Sequence, residues 1–370
     1  MRRPQFAVLG LVLFTACIGD PVSGTQQGNN DTSALGPNLS CNIPISQIID
    51  GGPGIDGIPA LHNPRLVSAT DPEASYLSDN DRVMGLLVEG QTIAVPLNIQ
   101  WWHEIVNLDV GAERLAVTHC PLTGSSLVFS RQPVGGVTFG VSGLLFNNNL
   151  MMYDRNSGQL SLWPQLSRAA ACGPKTGTQL SMVPSFEMSW GAWKAMHPET
   201  QVVSSETGYM RNYRTDGYPY DLYDQPNNRQ LLQPVPLDPR RPPKERVLGI
   251  LSSDSDGIAL PFGVLDSLGR RLAVELDVGG EAYVVFWDRA AAGAMAFHPS
   301  LQAMNLTFTT ADGAIVDNET GSTWRLDGVA TDGPLAGSRL EPVAEAFVLF
   351  WFAWPTFYPD GDLWLGTSGS

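Results

Sequence analysis

The stretch THCPLTGSS (118–126) holds the residues best suited to chemistry. Cys120 follows a histidine and precedes a proline, and Thr123 stands where a Cys-x-x-Cys pair would have its second thiol. A thiolate is both a nucleophile and a ligand for soft metals, so Cys120 suits thiol redox chemistry or the binding of copper or zinc. Free cysteine is also among the most frequently buried residue types, so a plain core role stays open.

The adjacent histidine is not expected to act on the same atom as the thiol. LAVTHC (115–120) has the apolar and β-branched character of a strand. Successive side chains of a strand point to opposite faces, so His119 should face away from Cys120 and lie apart from it. A histidine from elsewhere in the chain is therefore expected to meet the sulfur.

His103 in WWHEI is the predicted partner of Cys120. Trp102 can pack against its ring, and Glu104 can fix its tautomer. In this hypothesis Cys120 is the nucleophile or soft ligand and His103 is the base or second ligand. Glu104 orients His103, and Thr123 donates a hydrogen bond to the sulfur. A satisfied structural histidine is the alternative.

Four blocks of sequence occur twice in the same order, which indicates an internal duplication. The paired blocks are RVMGLLVEGQTIAVPL (82–97) with RVLGILSSDSDGIALPF (246–262), RLAV…LVFSR (114–131) with RLAV…VVFWDR (271–289), MYDRNSGQLSLW (152–163) with IVDNETGSTW (315–324), and GPKTG…WGAWKAMHPET (173–200) with GPLAG…FWFAWPTFYPDG (333–361). We interpret them as two units, 82–205 and 246–366.

The predicted fold class is mainly β (α+β), with two duplicated β-rich units packed together. Gly 38 and Pro 28 favour short strands and many turns. Each unit has one helical candidate near its end, 184–198 and 343–359, and each candidate stops before a proline. An N-terminal arm (45–81) precedes the units. A Tyr/Pro-rich connector (206–245) joins them and is expected to be a surface loop or a lid over a site.

The second unit is predicted to be chemically silent. Where the first unit has WWHEI and THCPLT, the second has LDSLG and ELDVGG, without histidine or cysteine. This contrast favours the first unit as the location of the site.

The N-terminus predicts export. MRRPQFAVLGLVLFTAC has two arginines, a short apolar run and small residues before Cys17, which is typical of a signal peptide covering 1–16. The setting of Cys17 resembles a bacterial lipidation site, so 17–44 would be a lipid-anchored flexible tether, with ordinary signal cleavage as the alternative. The expected location is the cell envelope, as a periplasmic or surface lipoprotein that meets the membrane only through its anchor.

Charge and cysteine count narrow the possibilities further. The net charge of −15, with only 22 Lys and Arg, disfavours a nucleic-acid partner. With Cys17 used for lipid, three cysteines remain in an oxidising compartment. A Cys41–Cys172 disulfide would attach the N-terminal arm to the first unit and leave Cys120 free, although spacing alone cannot decide the pairing.

Five ordered motifs resemble the family DUF3179: DGIPALHNPRLVSA (56–69), WWHEIVN (101–107), THCPLTGSS (118–126), FGVSGLLFNNNLMMYDR (139–155) and WGAWKAMHPET (190–200). The resemblance covers residues 45–366. It implies a bacterial or archaeal protein, often exported, whose cysteine motif usually reads C-P-L-C, with selenocysteine in the second place in some members. Such a motif implies redox or soft-metal chemistry.

This chain departs from that motif at Thr123. A dithiol cycle within the motif is therefore not available, and an outside thiol or protein partner would have to resolve an oxidised Cys120. The family implies no settled activity. The alternative from another class is a non-catalytic binding or scaffold lipoprotein with its tyrosine-rich segment as the contact surface.

Overall fold

The computed structural model describes residues 40–156, 158–214 and 217–366. The predicted signal peptide (1–16), the tether through residue 39 and its lipidation site Cys17 lie outside the described residues. In the part of the chain described, no helix is long and apolar enough to cross a membrane.

The N-terminal arm and the first unit consist mainly of short strands. Their elements in chain order are β1 Ile48–Asp50, β2 Leu61–His62, β3 Leu66–Ser68, β4 Arg82–Val88, β5 Gln91–Pro96, α1 Leu97–His103, β6 Ile105–Val110, β7 Glu113–Cys120, β8 Ser125–Ser130, β9 Phe139–Phe146, β10 Asn149–Asp154, β11 Leu162–Pro164, β12 Phe186–Ser189, α2 Trp190–Met196 and β13 Gln201–Val203.

The second unit has the same mainly β character. Its elements are β14 Arg246–Leu251, β15 Gly257–Pro261, α3 Phe262–Leu268, β16 Arg271–Val278, β17 Glu281–Asp288, β18 Gly293–His298, β19 Ser300–Leu301, β20 Met304–Asn305, β21 Phe308–Ala311, β22 Ala314–Asp317, β23 Thr323–Trp324, β24 Ala330–Asp332, β25 Glu341–Pro342, β26 Ala346–Phe350, α4 Ala353–Phe357 and β27 Asp362–Leu363. The predicted β-rich fold class is confirmed.

Three sheets of the first unit and arm have a similar sheet in the second unit. The sheet β12-β4-β5-β13-β3 resembles β26-β14-β15-β27 in strand order. Likewise β2-β6-β7-β8 resembles β16-β17-β18-β25, and β1-β9-β10-β11 resembles β21-β22-β23-β24. The short sheet β19-β20 has no match among the described strands of the first unit.

Each unit packs one tryptophan against a glycine at the centre of its first strand. A Cβ atom added to Gly85 would lie 2.2 Å from the Trp193 ring, and one added to Gly249 would lie 2.3 Å from the Trp354 ring. No other residue type permits such close approach of a ring to the backbone. The repeated WxxW segments therefore pack against the repeated RVxG strands.

The two units also exchange equivalent hydrogen bonds. The N–H of Phe350 in the second unit donates to Thr123 O at 2.8 Å, and the N–H of Ser189 in the first unit donates to Ala291 O at 2.8 Å. In each case the residue at the end of one unit's last long strand reaches the β-hairpin turn of the other unit. The duplication itself stays a prediction, and these matched contacts support it.

One of the four sequence matches joins strands that do not occupy equivalent places in the two units. RLAV (271–274) lies in β16, which follows α3 as β6 follows α1, whereas RLAV (114–117) lies in β7. The hairpin registers decide the correspondence, because β7–β8 ends at Cys120 opposite Ser125 and β17–β18 ends at Asp288 opposite Gly293. The counterpart of Cys120 is therefore Asp288 rather than a residue of ELDVGG.

The two predicted helices are shorter than expected. Residues 186–189 and 346–350 are strands, and only Trp190–Met196 and Ala353–Phe357 are helical. Strand β12 pairs with β4, and strand β26 pairs with β14. This pairing satisfies the backbone N–H and C=O groups of the strands. Helices α1 and α3 were not predicted.

A disulfide joins Cys41 to Cys172. The backbones of these two residues also form a bridge, so the N-terminal arm is held to the loop that follows β11. Within the described residues, Cys120 is the one free cysteine, and it is buried.

Candidate functional site

Cys120 is the last residue of β7 and is 1% exposed. Its Sγ accepts a hydrogen bond from Leu150 N at 3.3 Å and lies 3.6 Å from Asn148 O, to which the thiol can donate. Burial and the nearby Glu104 raise the pKa of the Cys120 thiol to about 11, and hydrogen bonds from the Thr123 side chain and from the amides of Thr123 and Leu150 oppose this rise. The side chain is therefore a protonated thiol at neutral pH in this closed arrangement.

The predicted contact between His103 and Cys120 is not formed. His103 is the last residue of α1 and fully buried, with Nδ1 2.7 Å from Pro59 O and Nε2 2.7 Å from the Tyr213 hydroxyl. A carbonyl can only accept, so Nδ1–H donates to Pro59 and Nε2 accepts from Tyr213. Both ring nitrogens are thus occupied, which also leaves His103 poorly placed as a metal ligand alongside Cys120.

The reason for this error is the path of the chain at Glu104. The residue ends helix α1 with φ of 54°, a left-handed conformation that turns the backbone sharply into β6. His103 is carried toward the N-terminal arm and the connector, where burial lowers its pKa. Metal ligation by Cys120 with His103 would need both side chains to face one point. Among the described residues, no group of three or more His, Cys, Asp or Glu side chains is arranged to hold a metal ion.

Glu104 lies near Cys120 and does not orient His103. Pro59 and Tyr213 hold the His103 ring, whereas the Glu104 carboxyl forms no hydrogen bond with a residue that the structure describes. Burial raises the pKa of the Glu104 carboxyl to about 8. Its charge in turn raises the pKa of Cys120. The carboxyl is therefore a buried acid–base group close enough to the thiol to change the pKa of Cys120.

Thr123 stands beside the sulfur, but its hydroxyl is directed elsewhere. Ser125 Oγ donates to Gln165 Oε1 at 2.5 Å, so the Thr123 hydroxyl, 2.8 Å away, donates to Ser125. Asn149 Nδ2 donates to the Thr123 hydroxyl at 3.0 Å. The Thr123 side chain nevertheless also hydrogen-bonds the sulfur, as predicted, and together with the Thr123 amide it lowers the pKa of Cys120, while the hydroxyl belongs to a buried polar network.

His119 faces away from Cys120, as strand alternation predicted. Its Nδ1 is 3.0 Å from Ser126 Oγ on the neighbouring strand β8. Burial, and then the nearby Arg82 guanidinium, lower the pKa of His119 to about 3. The ring is therefore neutral and serves to fill the seam between the units.

An arginine pair that the sequence analysis missed lies on this second face. Arg82 Nη1 and Arg246 Nη2 donate to Glu187 Oε1 at 2.9 and 2.7 Å. Although burial acts to raise it, the two guanidinium groups hold the pKa of Glu187 below its ordinary value. The available signal was the repeat itself, since Arg82 and Arg246 begin the matched RVxG blocks.

The tyrosine-rich connector covers the turn after Cys120. The Tyr218 hydroxyl donates to Pro121 O, and the Tyr223 hydroxyl donates to Leu122 O at 2.8 Å. Their rings are nearly parallel, with centroids 6.3 Å apart. Of the two predicted possibilities, surface loop or lid over a site, these contacts favour the lid, and the segment is called the lid below.

The buried Lys244 side chain packs against the Tyr223 ring of this lid. It is 1% exposed, its Nζ lies 3.0 Å from the centroid of the Tyr223 ring, and it donates to Gln230 O at 2.9 Å. Burial lowers the pKa of Lys244 to about 7.

The turn beneath the lid leaves no room for a larger residue at Gly124, because a Cβ there would lie 2.8 Å from the Phe350 ring.

A cleft of about 490 Å³ opens beside the lid at the seam of the two units. Its charged base includes Arg82 and Arg246, and its walls include Trp101, Tyr218 and Phe350. Tyr218 thus has one role toward the Cys120 turn and another toward the cleft. Tyr218 therefore joins the cleft to the turn that follows Cys120.

Fold and site together define a β-rich protein of two similar units with a lidded single thiol and an arginine-lined cleft. The chain belongs to DUF3179, a family described as proteins of unknown function, whose model matches residues 55–361. No curated protein and no solved structure matches the chain.

Proposed function

We propose that the protein is an exported single-thiol redox protein of the cell envelope, with Cys120 as the reacting group. The observation that carries this proposal is the unpartnered Glu104 carboxyl beside the free thiol. Glu104 takes the role of proton acceptor that the sequence analysis assigned to His103. A carboxyl whose pKa is raised to about 8 can exchange a proton near neutral pH.

The proposed reaction is thiol–disulfide exchange with an outside disulfide. The Glu104 carboxylate takes the thiol proton, and the Cys120 sulfur attacks one sulfur of the disulfide. The disulfide bond breaks as the mixed disulfide forms, and the departing thiolate receives the proton from Glu104. A second outside thiol then attacks the mixed disulfide and restores Cys120.

The lid regulates this reaction in the proposal. With Tyr218 and Tyr223 bonded to the turn, the sulfur is buried and its pKa is about 11. Opening the connector would hydrate the site and remove the burial that raises this pKa. The thiol is therefore expected to react at a rate set by lid opening.

A labelling experiment tests the proposal. The folded protein is treated with iodoacetamide under native conditions, and alkylation of Cys120 is followed by mass spectrometry against Cys120→Ser. We expect one alkylated residue, at a rate that increases with pH and decreases in Glu104→Gln, because the loss of the proton acceptor outweighs the lower pKa that Cys120 has without the Glu104 charge. A faster rate in Glu104→Gln would mean that Glu104 acts on the thiol only through its charge. If Cys120 reacts only in denaturant, or Glu104→Gln does not change the rate, the redox proposal fails.

A non-catalytic binding protein is the second candidate, and the open cleft beside a protonated thiol favours it. In that case Cys120 fills the core and the cleft is the functional site. The tyrosine-rich segment would then wall the cleft with Tyr218 rather than offer an outer contact surface.

Anchoring to the envelope by Cys17 is a further part of the proposal, and it is supported by the N-terminal sequence alone. Mass spectrometry of the mature protein should find a lipid on Cys17 and no residues 1–16. A mature chain that starts elsewhere with an unmodified N-terminus would exclude the anchor.

A further inference from the structure

We propose that the cleft beside the lid binds a small molecule that carries a carboxylate on an aromatic body. The inference concerns binding at the seam of the two units and does not depend on the thiol chemistry. It rests on the charges at the base of the cleft, on unpartnered donors around it and on its aromatic walls.

The base of the cleft carries more positive than negative charge from its ion cluster. Two guanidinium groups, of Arg82 and Arg246, share the single carboxylate of Glu187. Arg82 donates one side-chain hydrogen bond within the described residues, through Nη1. The N–H groups at its Nε and Nη2 donate to no described residue. A guanidinium with free N–H groups matches the two oxygens of a carboxylate.

Two further donors of cleft residues lack acceptors. Arg246 Nε and Trp101 Nε1 are buried and have no hydrogen-bond partner in the part of the chain that the structure describes. Buried donors are normally satisfied, but these two have almost no accessible surface, so an acceptor in the cleft could reach them only after the side chains around them move. The free N–H groups of the partly exposed Arg82 side chain are therefore the donors open to a ligand, and they favour an oxygen with lone pairs.

Two acidic side chains also line the cleft, and each interacts with groups outside it. Asp81 Oδ2 is bonded to Ser78 N at 2.9 Å and to Asn98 Nδ2 at 3.1 Å. Asp224, the other acidic residue of the lining, raises the pKa of the buried Lys244. Because Lys244 is charged only below about pH 7, the cleft is expected to favour an anion most in mildly acidic solution.

Aromatic rings form the walls and specify the rest of the ligand. Trp101 meets Tyr218 edge to face with centroids 5.8 Å apart, and Tyr218 lies 6.1 Å from Phe350. Such walls favour a flat apolar body over a hydrated ion. Hence a carboxylate on an aromatic ring fits better than free phosphate.

Isothermal titration calorimetry of the full chain with benzoate, benzamide and inorganic phosphate tests the inference. Benzamide has the size and shape of benzoate without its charge. We expect benzoate to bind at least tenfold more tightly than either of the other two. Equal affinity for benzoate and benzamide, or tighter binding of phosphate, would overturn the proposal without any variant.

Variants locate the binding. Arg82→Gln should weaken benzoate binding at least tenfold, whereas Arg65→Gln, which removes an exposed arginine outside the cleft, should leave it unchanged. Loss of binding in both variants, or in neither, would place the ligand elsewhere. Cys120→Ser should still bind benzoate, so failure of the redox proposal and failure of this one give different results.

Discussion

Arg82 and Arg246, the first residues of strands β4 and β14, donate to the same oxygen of Glu187. The two strands occupy matching places in the two units, so one carboxylate joins both units at their seam. Glu187 has no matching acid in the second unit, where Val348 pairs with Leu248 as Glu187 pairs with Met84. The cluster therefore has no equivalent within the second unit, and its loss should lower the free energy of unfolding of the whole protein.

Glu187→Gln is expected to destabilise the protein by about 3 kcal/mol, because two poorly hydrated guanidinium groups would lose their shared anion. Urea denaturation followed by tryptophan fluorescence measures the change. Glu199→Gln is the matched control, since Glu199 is exposed and should cost less than about 0.5 kcal/mol. Similar losses in the two variants would argue against the cluster as a stabilising contact.

Tyr223→Phe should loosen the lid. The variant loses the hydrogen bond to Leu122 O, which is worth about 1 kcal/mol, and leaves that carbonyl without this donor. We expect Cys120 to be alkylated roughly fivefold faster than in the wild type, because 1 kcal/mol corresponds to about that factor in an opening equilibrium. Tyr220→Phe serves as control, since the Tyr220 side chain is 43% exposed. An unchanged rate in Tyr223→Phe would separate the lid from access to the thiol.

Gly85→Ala and Gly249→Ala should both destabilise the protein by about 3 kcal/mol or more. The new methyl group would lie within 2.2 Å of the Trp193 ring or 2.3 Å of the Trp354 ring, so each unit would have to move its tryptophan. Gly217→Ala is the control, because no atom of the described residues lies within 4 Å of a Cβ there. Thermal unfolding of the three variants measures the effect, and a large cost at only one of the two tryptophan sites would weaken the proposed equivalence of the units.

Lys244 should make stability rise with pH above neutrality. Burial lowers its pKa in the fold from 10.5 to about 7, so between these values the unfolded chain binds a proton that the folded chain does not. The free energy of unfolding contributed by this group therefore increases from about pH 7 toward pH 10.5 and is absent below pH 7. Denaturation at several pH values should show a steeper rise in wild type than in Lys244→Met. Lys194→Met, at a side chain that is 39% exposed, should keep the wild-type slope. Equal slopes in all three proteins would mean that Lys244 stays charged in the fold.

Local patterns in the sequence were enough to predict the β-rich class and the opposite facing of His119 and Cys120. These features follow from the two-residue period of a strand and from repeated turn residues, which act over a few positions along the chain. The Cys41–Cys172 pairing was one of the open possibilities, and the structure contains it.

The surroundings of the thiol were decided by tertiary structure alone. His103 is held by Pro59 and Tyr213, which are 44 and 110 residues away. Glu104, rather than His103, lies near Cys120, because the positive φ of Glu104 turns the chain at this point. The arginine pair and the lid are likewise assembled from segments distant in sequence. Which buried polar groups meet depends on how whole sheets pack and on which partners satisfy each donor, and no spacing along the chain records that choice.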